Sequence, residues 1–178
     1  MTTISLSLDE IFELAKKTLL ANGCDEENAS ILSETIMKAE RDGSLSHGLF
    51  RLPAYVTGLK SGKIDGKARP EIKKISSSVI KVFGNNCLAP MVLSKSIPEL
   101  VKAAKENGIA VLAINNSHHM AAMWPETEAI AEQGLVAFAC TSYKPAVAPA
   151  GAIKPLFGTN PISFAWPRKG KTPVVYDM

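Results

Sequence analysis

The sequence predicts an α/β protein in which a helical segment, residues 1–65, precedes a segment of strands and helices, residues 66–178. Apolar residues recur at helical spacing through the first of these segments. After Gly66, short β-like runs alternate with helical stretches. The sequence contains neither GxGxxG nor GxxxxGK[ST], so it carries neither the standard Rossmann fingerprint nor a P-loop.

Three helices are predicted in the helical segment. Ser7 and Glu10 have the spacing of a capping box, which indicates the start of the first helix. Asp25 is predicted to begin the second helix, because aspartate accepts hydrogen bonds from the unpaired N–H groups of a first turn. The third helix is predicted from Gly48 to Leu59, where apolar residues again recur at helical spacing.

The second segment is predicted to alternate strands with helices. The run 109–114 is continuously apolar, which is typical of a strand buried on both faces. We expect it to form a strand–helix–strand unit with a helix at 124–133 and a strand at 135–140. The other predicted elements are strands at 71–75, 78–83, 162–166 and 173–177 and a helix at 89–107.

Composition excludes several classes of protein. With 46% hydrophobic and 21% charged residues, the chain resembles an ordinary soluble globular protein. A net charge of +3 is too small to indicate nucleic-acid binding, and no apolar run is long enough to cross a membrane. The first residues lack the pattern of a signal peptide. The three cysteines match no zinc or redox motif, so we expect reduced thiols in a cytoplasmic protein and no metal site.

Two side chains suggest a site for an anionic substrate. Arg51 follows His47 by four residues, so a helix opening at Gly48 would place both on one face. A histidine can donate a proton, and an arginine can hold a carboxylate by two hydrogen bonds. A turn histidine beside a solvated surface arginine is the commoner arrangement. Tyr55 continues the same face and either contacts substrate or packs in the core.

A second candidate region follows the apolar run 109–114. Open α/β sheets place ligands beyond the carboxyl ends of their strands. The small side chains of Ala121 and Ala122 would let a ligand approach closely. Residues 158–161 have the composition of a turn, whose hydroxyl and amide groups either bind a ligand or only shape the loop.

Four segments together resemble one known family. They are residues 39–53, the Ser117-His118-His119 loop with Trp124-Pro125, residues 155–161 and residues 175–178. In order and spacing they resemble the malate/L-lactate dehydrogenase family, which binds NAD(P) on a mixed-sheet fold unlike Rossmann. The paired histidines followed by Trp-Pro resemble its Δ1-piperideine-2-carboxylate/Δ1-pyrroline-2-carboxylate reductases.

This resemblance implies a role for each matching residue. His47 corresponds to the proton donor and Ser46 to its hydrogen-bonded relay neighbour, while Arg51 and Thr159 correspond to substrate contacts. The implied reaction is reduction of a cyclic imino acid to pipecolate or proline. NADPH is the implied hydride donor, and NADH is the alternative. The implied cofactor-binding residues are His119, Met120, Ala121, Ala122, Met123, Asp177 and Met178.

The resemblance also implies partners and alternatives. Relatives are homodimers and about twice as long, so we expect a C-terminal half that supplies the acidic relay partner. Nucleic acid and membrane are not expected as partners. The same residues also fit a dehydrogenase of 2-oxo or 2-hydroxy acids such as malate, lactate or ureidoglycolate. A third hypothesis is a fragment that is inactive without its C-terminal half.

Overall fold

The computed structural model describes residues 4–119 and 121–178. The chain divides into two compact units, Met1–Ala121 and Ala122–Met178. The boundary predicted between residues 65 and 66 lies inside the first unit, and the division into a helical and an α/β domain stays a prediction for the whole protein. The mixed α/β fold class predicted from the sequence is confirmed.

The first unit begins with helices, and the first two start at their predicted positions. Helix α1 spans Leu8–Ala21 with the expected capping box, and α2 spans Glu26–Arg41 with Asp25 as its N-cap. Two short 3-10 helices, Leu45–His47 and Leu49–Arg51, precede α3 at Leu52–Lys60. Their shared core buries Ile11, Leu19, Leu32, Ile36, Tyr55 and Leu88. Among the described residues, no helix is long and apolar enough to cross a membrane.

A three-stranded mixed sheet completes the first unit. Strand β1, Glu71–Lys74, is antiparallel to β2, Val79–Phe83, which is parallel to β3, Val111–Asn115. Helix α4, Ala89–Asn107, makes the crossover between β2 and β3, as a parallel connection requires. One face of the sheet packs against α4 through Ile80, Val82, Met91 and Val92.

The prediction that residues 109–114 are buried on both faces is wrong. Strand β3 lies at the edge of its sheet, and its exposure alternates along the strand. Leu112 and Ile114 pack toward the core, whereas Ile109 and Val111 are exposed. The strand therefore has one covered face, and on the other face Val111 is 53% exposed.

The second unit is a helix packed on a small antiparallel sheet. Helix α5 spans Trp124–Ala131, and the sheet has the order β4, Ala137–Cys140, β5, Ile162–Arg168, and β6, Lys171–Asp177. The expected strand–helix–strand unit is therefore wrong, because β3 and β4 belong to different sheets. Small residues, Ala131, Ala137 and Ala165, form the core and allow close packing of the helix on the sheet.

The other face of this second sheet is apolar and exposed. Side chains alternate across a strand, so the neighbours of buried Ser163 and Ala165 point away from α5. Phe138 is 64% exposed and Trp166 is 54% exposed. Val174 and Tyr176 on β6 are also exposed and pair with β5. A contiguous apolar face of this kind is typical of a surface that another polypeptide covers.

Candidate functional site

Ser46, His47 and Arg51 lie on a tight turn of the first unit. The chain forms one 3-10 helix up to His47, departs from helical geometry at Gly48 (φ −87°, ψ −137°) and starts a second 3-10 helix. The predicted start of the third helix at Gly48 is therefore wrong, since α3 begins at Leu52, although its end at Lys60 adjoins the predicted Leu59. The argument that one helical face carries both His47 and Arg51 fails with it.

Ser46, His47 and Arg51 are joined by hydrogen bonds and do not share one face of a helix. The Nε atom of Arg51 donates to the carbonyl oxygen of Ser46 at 2.7 Å. The Ser46 hydroxyl lies 3.0 Å from Nδ1 of His47, and the Ser44 hydroxyl lies 3.2 Å from the same nitrogen. A hydroxyl that donates to Nδ1 leaves the ring proton on Nε2. The turn thus holds the imidazole of His47 by hydroxyl groups and the guanidinium of Arg51 by a backbone carbonyl.

Glu40 holds the turn from the adjacent end of α2. Its Oε1 atom accepts a hydrogen bond from the backbone N–H of Leu49 at 2.7 Å. A Cβ atom at Gly48 would collide with the Glu40 side chain. Glycine at this position therefore lets Glu40 reach the backbone. The sequence prediction did not single out Glu40, although its proximity in sequence to the His47 motif was a usable signal.

Tyr55 and His119 form a second pair in the first unit. Tyr55 is 3% exposed, and its hydroxyl lies 2.9 Å from Nδ1 of His119. The ring centroids are 5.5 Å apart with an interplanar angle of 77°. Tyr55 belongs to the helical core, so this bond ties the loop after β3 to α3. No sequence pattern links two residues that lie this far apart in the chain.

Burial sets the charge state of this pair. Burial raises the pKa of Tyr55 well above its usual value, although Arg51 opposes this shift. Burial, together with the positive charges of Arg51, His118 and His47, lowers the pKa of His119 to about 4. Near neutral pH, both partners are therefore uncharged.

Backbone hydrogen bonds at His118 hold the loop that carries His119. His118 donates its N–H to the carbonyl of Cys87 at 2.8 Å and accepts from the N–H of Ala89 at 3.1 Å. Burial, followed by the charge of Lys63, lowers the pKa of the His118 imidazole. His119 has a positive φ of 54° and Ala121 one of 55°. Left-handed non-glycine residues in a loop cost free energy and are typical of functional sites.

The predicted cofactor loop crosses the boundary between the two units. His119 and Ala121 are half-buried in the first unit, and Met120 lies outside the described residues. Ala122 and Met123 open the second unit and are buried. The side chain of Ala122 packs in the interior, whereas that of Ala121 is partly exposed, and the expectation that these small side chains let a ligand approach closely stays a prediction.

Asp177 organises the start of α5 within the second unit. Its Oδ2 atom accepts hydrogen bonds from the backbone N–H groups of Met123 and Trp124, each at 2.9 Å. A carboxylate at this position compensates both the unpaired donors and the helix dipole. Met178 is exposed, and its backbone pairs with Ile162 in both directions. Asp177 therefore has a structural role that the sequence prediction did not include.

Thr159 lies in an exposed loop of the second unit. Its neighbour Asn160 has a φ of 46° and accepts a hydrogen bond from the N–H of Tyr143 at 3.1 Å. Gly158 approaches the Tyr143 carbonyl so closely that a Cβ atom would collide with it. The loop conformation thus depends on a glycine and an asparagine that flank Thr159. Among the described residues, no cluster of histidine, cysteine, aspartate and glutamate could hold a metal ion.

The mixed sheet of the first unit and the antiparallel sheet of the second differ from the open parallel sheet of Rossmann dehydrogenases, and so define a different class of α/β protein. Residues 6–178 match the model of the family described as malate/L-lactate dehydrogenase. The chain is 42% identical over 176 residues to a Δ1-pyrroline-2-carboxylate/Δ1-piperideine-2-carboxylate reductase of Pseudomonas syringae pv. tomato, covering 99% of this chain and 51% of that protein. The chain belongs to the malate/L-lactate dehydrogenase family.

Two further comparisons describe its place among the relatives. The crystal structure of the Δ1-piperideine-2-carboxylate reductase from Pseudomonas syringae superposes with a TM-score of 0.92 at 41% identity, covering 99% of this chain and 53% of that one. A (2R)-3-sulfolactate dehydrogenase (NADP(+)) of Chromohalobacter salexigens is 39% identical, covering 97% of this chain and 52% of that protein. The chain thus spans about half the length of the curated relatives it matches.

Proposed function

We propose that this protein is part of an NADPH-dependent reductase that converts Δ1-piperideine-2-carboxylate or Δ1-pyrroline-2-carboxylate into pipecolate or proline. The observation that carries the proposal is the turn in which Ser46, His47 and Arg51 are hydrogen-bonded together. The similarity to a pyrroline- and piperideine-carboxylate reductase supports the choice of substrate. Such a reaction would belong to amino-acid metabolism in the cytoplasm.

Arg51 is suited to hold the substrate carboxylate. Its Nε atom is engaged by the Ser46 carbonyl, which leaves the two terminal nitrogens of the guanidinium to face a carboxylate end-on. The bond to Ser46 also limits the rotation of a long side chain, so less conformational entropy is lost on binding. We assign Thr159 as the second substrate contact, on the basis of its exposed position beside Gly158.

His47 is suited to donate the proton that the reaction consumes. Reduction of the C=N bond adds a hydride to carbon and a proton to nitrogen. The hydroxyls of Ser46 and Ser44 lie at Nδ1, so that a neutral ring accepting from them would carry its proton on Nε2. When Nε2 releases this proton to the substrate, Nδ1 would take the proton of the Ser46 hydroxyl, which the acidic relay partner expected in the C-terminal half would replace. Ser46 is then the relay neighbour of His47.

The described residues of the loop after β3 fit the uncharged part of a dinucleotide. His119 is neutral near pH 7, and Ala121 is small and partly exposed, so neither opposes a nicotinamide or a ribose. We assign His119, Ala121, Ala122, Met123, Asp177 and Met178 to cofactor binding, with Met120 between them. Ala122 and Met123 would contribute backbone atoms, because their side chains are buried. NADPH supplies the hydride when bound, and NADH is the alternative donor.

The remaining half of the site would come from a further polypeptide segment. The relatives are about twice as long as this chain. The exposed apolar face that includes Phe138 and Trp166 is a surface such a segment would cover. A homodimer would bury further surface. Without its second half, this chain would be an inactive fragment.

A second candidate substrate class is a 2-oxo or 2-hydroxy acid. The similarity to a sulfolactate dehydrogenase favours this alternative, because the same histidine and arginine can serve a C=O bond. The two reactions differ only in the atom that receives the proton, so the residues of the turn do not discriminate between them.

NADPH oxidation tests the proposal directly. The chain is assayed alone and with the C-terminal half of the Pseudomonas syringae reductase, using Δ1-piperideine-2-carboxylate, pyruvate and oxaloacetate. Imine-dependent turnover that requires both halves supports the reductase. Turnover of pyruvate or oxaloacetate but not of the imine supports the dehydrogenase. No NADPH oxidation in any mixture supports the inactive fragment.

Substitution of the proton donor refines this test. His47→Ala should lower kcat at least a hundredfold, the range expected for loss of general acid catalysis. Lys17→Ala, at an exposed position of α1, is the control and should leave kcat unchanged. Unchanged turnover in His47→Ala would refute the assigned role.

A further inference from the structure

The hydroxyl of Tyr55 and Nδ1 of His119 lie within hydrogen-bonding distance in a setting that determines which atom donates. Tyr55 is buried, and its hydroxyl has no second hydrogen-bond partner within the described part of the chain. If Nδ1 carried the proton and donated to tyrosine, the buried O–H proton would have no acceptor. A buried donor without an acceptor is costly, so the favoured arrangement has Tyr55 donating to Nδ1.

This arrangement fixes the position of the proton on the neutral imidazole. With Nδ1 accepting from Tyr55, the proton of the neutral ring resides on Nε2. Nε2 has no hydrogen-bond partner among the described residues, and the side chain is partly exposed. The ring therefore presents one N–H donor outward and accepts one hydrogen bond inward.

The charged groups around His119 indicate which kind of ligand its Nε2–H would contact. Arg51, His118 and His47 lie close enough to disfavour a positive charge on the ring. The site can therefore hold a substrate anion without a charged His119. A neutral N–H beside a guanidinium provides a further hydrogen bond to a carboxylate oxygen without adding another charge to the site.

We propose that Tyr55 is a positioning residue: its hydroxyl fixes His119 as the tautomer with the proton on Nε2, and so presents an N–H donor to the substrate carboxylate beside Arg51. The inference rests on the proposed function for the identity of that carboxylate, and it makes the His119 imidazole a substrate contact within the loop assigned to the cofactor. Tyr55 itself touches no substrate, since its side chain lies in the core formed by the helices.

The tautomer is measured by nitrogen NMR of the chain labelled with ¹⁵N-histidine, near neutral pH. The native protein should show His119 with its proton on Nε2. Tyr55→Phe should lower the ratio of the two tautomers about fivefold, because one hydrogen bond to Nδ1 is lost. Tyr143→Phe, at an exposed tyrosine, is the matched control and should leave the ratio unchanged. A native proton on Nδ1, or an unchanged ratio in Tyr55→Phe, overturns the proposal.

Kinetics of the chain joined to its second half test the role in binding. Tyr55→Phe should raise KM for the imine about tenfold while changing kcat less than threefold. The substitution misplaces the Nε2–H of His119, which binds the carboxylate, but leaves the proton donor His47 in place. An unchanged KM overturns the role in substrate binding. If no variant, including the native sequence, oxidises NADPH with an imine, the proposed function has failed, whereas the NMR comparison still decides whether Tyr55 positions His119.

Discussion

The guanidinium of Arg51 is anchored to the backbone of Ser46 by a hydrogen bond of 2.7 Å between Nε and the carbonyl oxygen. The bond spans Gly48 and ties a cationic side chain to the residue that precedes His47, whose ring lies within hydrogen-bonding distance of two hydroxyls. The conformation of the turn depends on individual bonds between side chains and backbone, so conservative substitutions at these side chains should disturb it.

Replacing Arg51 by lysine should raise KM for the substrate carboxylate at least tenfold. Lysine retains the charge but loses both the Nε bond to Ser46 and the planar pair of donors. The measurement is steady-state kinetics of the chain combined with the C-terminal half of the Pseudomonas syringae reductase. Arg168→Lys, at an exposed arginine of β5, is the control. A KM that does not move would count against a carboxylate clamp.

Adding a methyl group at Gly48 should disturb the turn through Glu40. The Cβ atom of alanine would displace the Glu40 side chain and break its bond to the N–H of Leu49, at a cost of about 1 kcal/mol in unfolding free energy. We expect about a tenfold loss of kcat/KM, because misplacement of His47 and Arg51 weakens orientation.

Chemical denaturation and kinetics measure these two effects of Gly48→Ala. Gly43→Asn is the control, since nothing lies within 4 Å of an added Cβ there and asparagine tolerates its positive φ. If Gly48→Ala matched the control in both stability and kcat/KM, the role assigned to Glu40 would be wrong.

The free energy of unfolding should fall as pH drops from about 6.5 to about 4. The pKa of His119 is lowered to about 4 in the folded protein, so the unfolded chain binds more protons in this interval and is favoured by acid. The stabilising contribution is fully present above pH 6.5 and is on the order of 3 kcal/mol. His118, whose pKa is also lowered by burial, acts in the same direction.

Urea denaturation at pH 7 and pH 4.5 measures this dependence. In His119→Gln the titrating ring is absent, so the loss of stability between the two pH values should be smaller than in the native chain. An equal loss in both proteins would show that other groups cause the acid sensitivity.

The exposed apolar face of the second sheet can be followed by the fluorescence of Trp166. In Trp124→Phe, Trp166 is the remaining tryptophan and is 54% exposed. Acrylamide should quench it readily in the isolated chain. Addition of the C-terminal half should lower the quenching constant severalfold if that segment covers the face.

Trp166→Phe retains Trp124 and serves as the control for this experiment. Trp124 is half-buried beside the Asp177 cap and lies outside the exposed face. Quenching of Trp166 that stays constant while the two halves associate would place the contact elsewhere.

The sequence determined those features that depend on residues close together in the chain. The Ser7–Glu10 capping box, the Asp25 cap of α2 and the extent of α4 agree with prediction, because caps and amphipathic periodicity act over a few residues. The family was also evident from local motifs, and the comparisons confirm it. The roles assigned to the site residues stay predictions.

The tertiary structure decided what depends on long-range contacts. The turn at Gly48 is held by the Glu40 side chain, which accepts a hydrogen bond from the N–H of Leu49, and helical spacing does not predict that contact. Strand pairing separated β3 from β4, although their sequence order suggested one unit. The bond between Tyr55 and His119 joins the helical core to a distant loop. Burial is a property of the assembled fold, so only that fold lowers the pKa of His119 and pairs its ring with Tyr55.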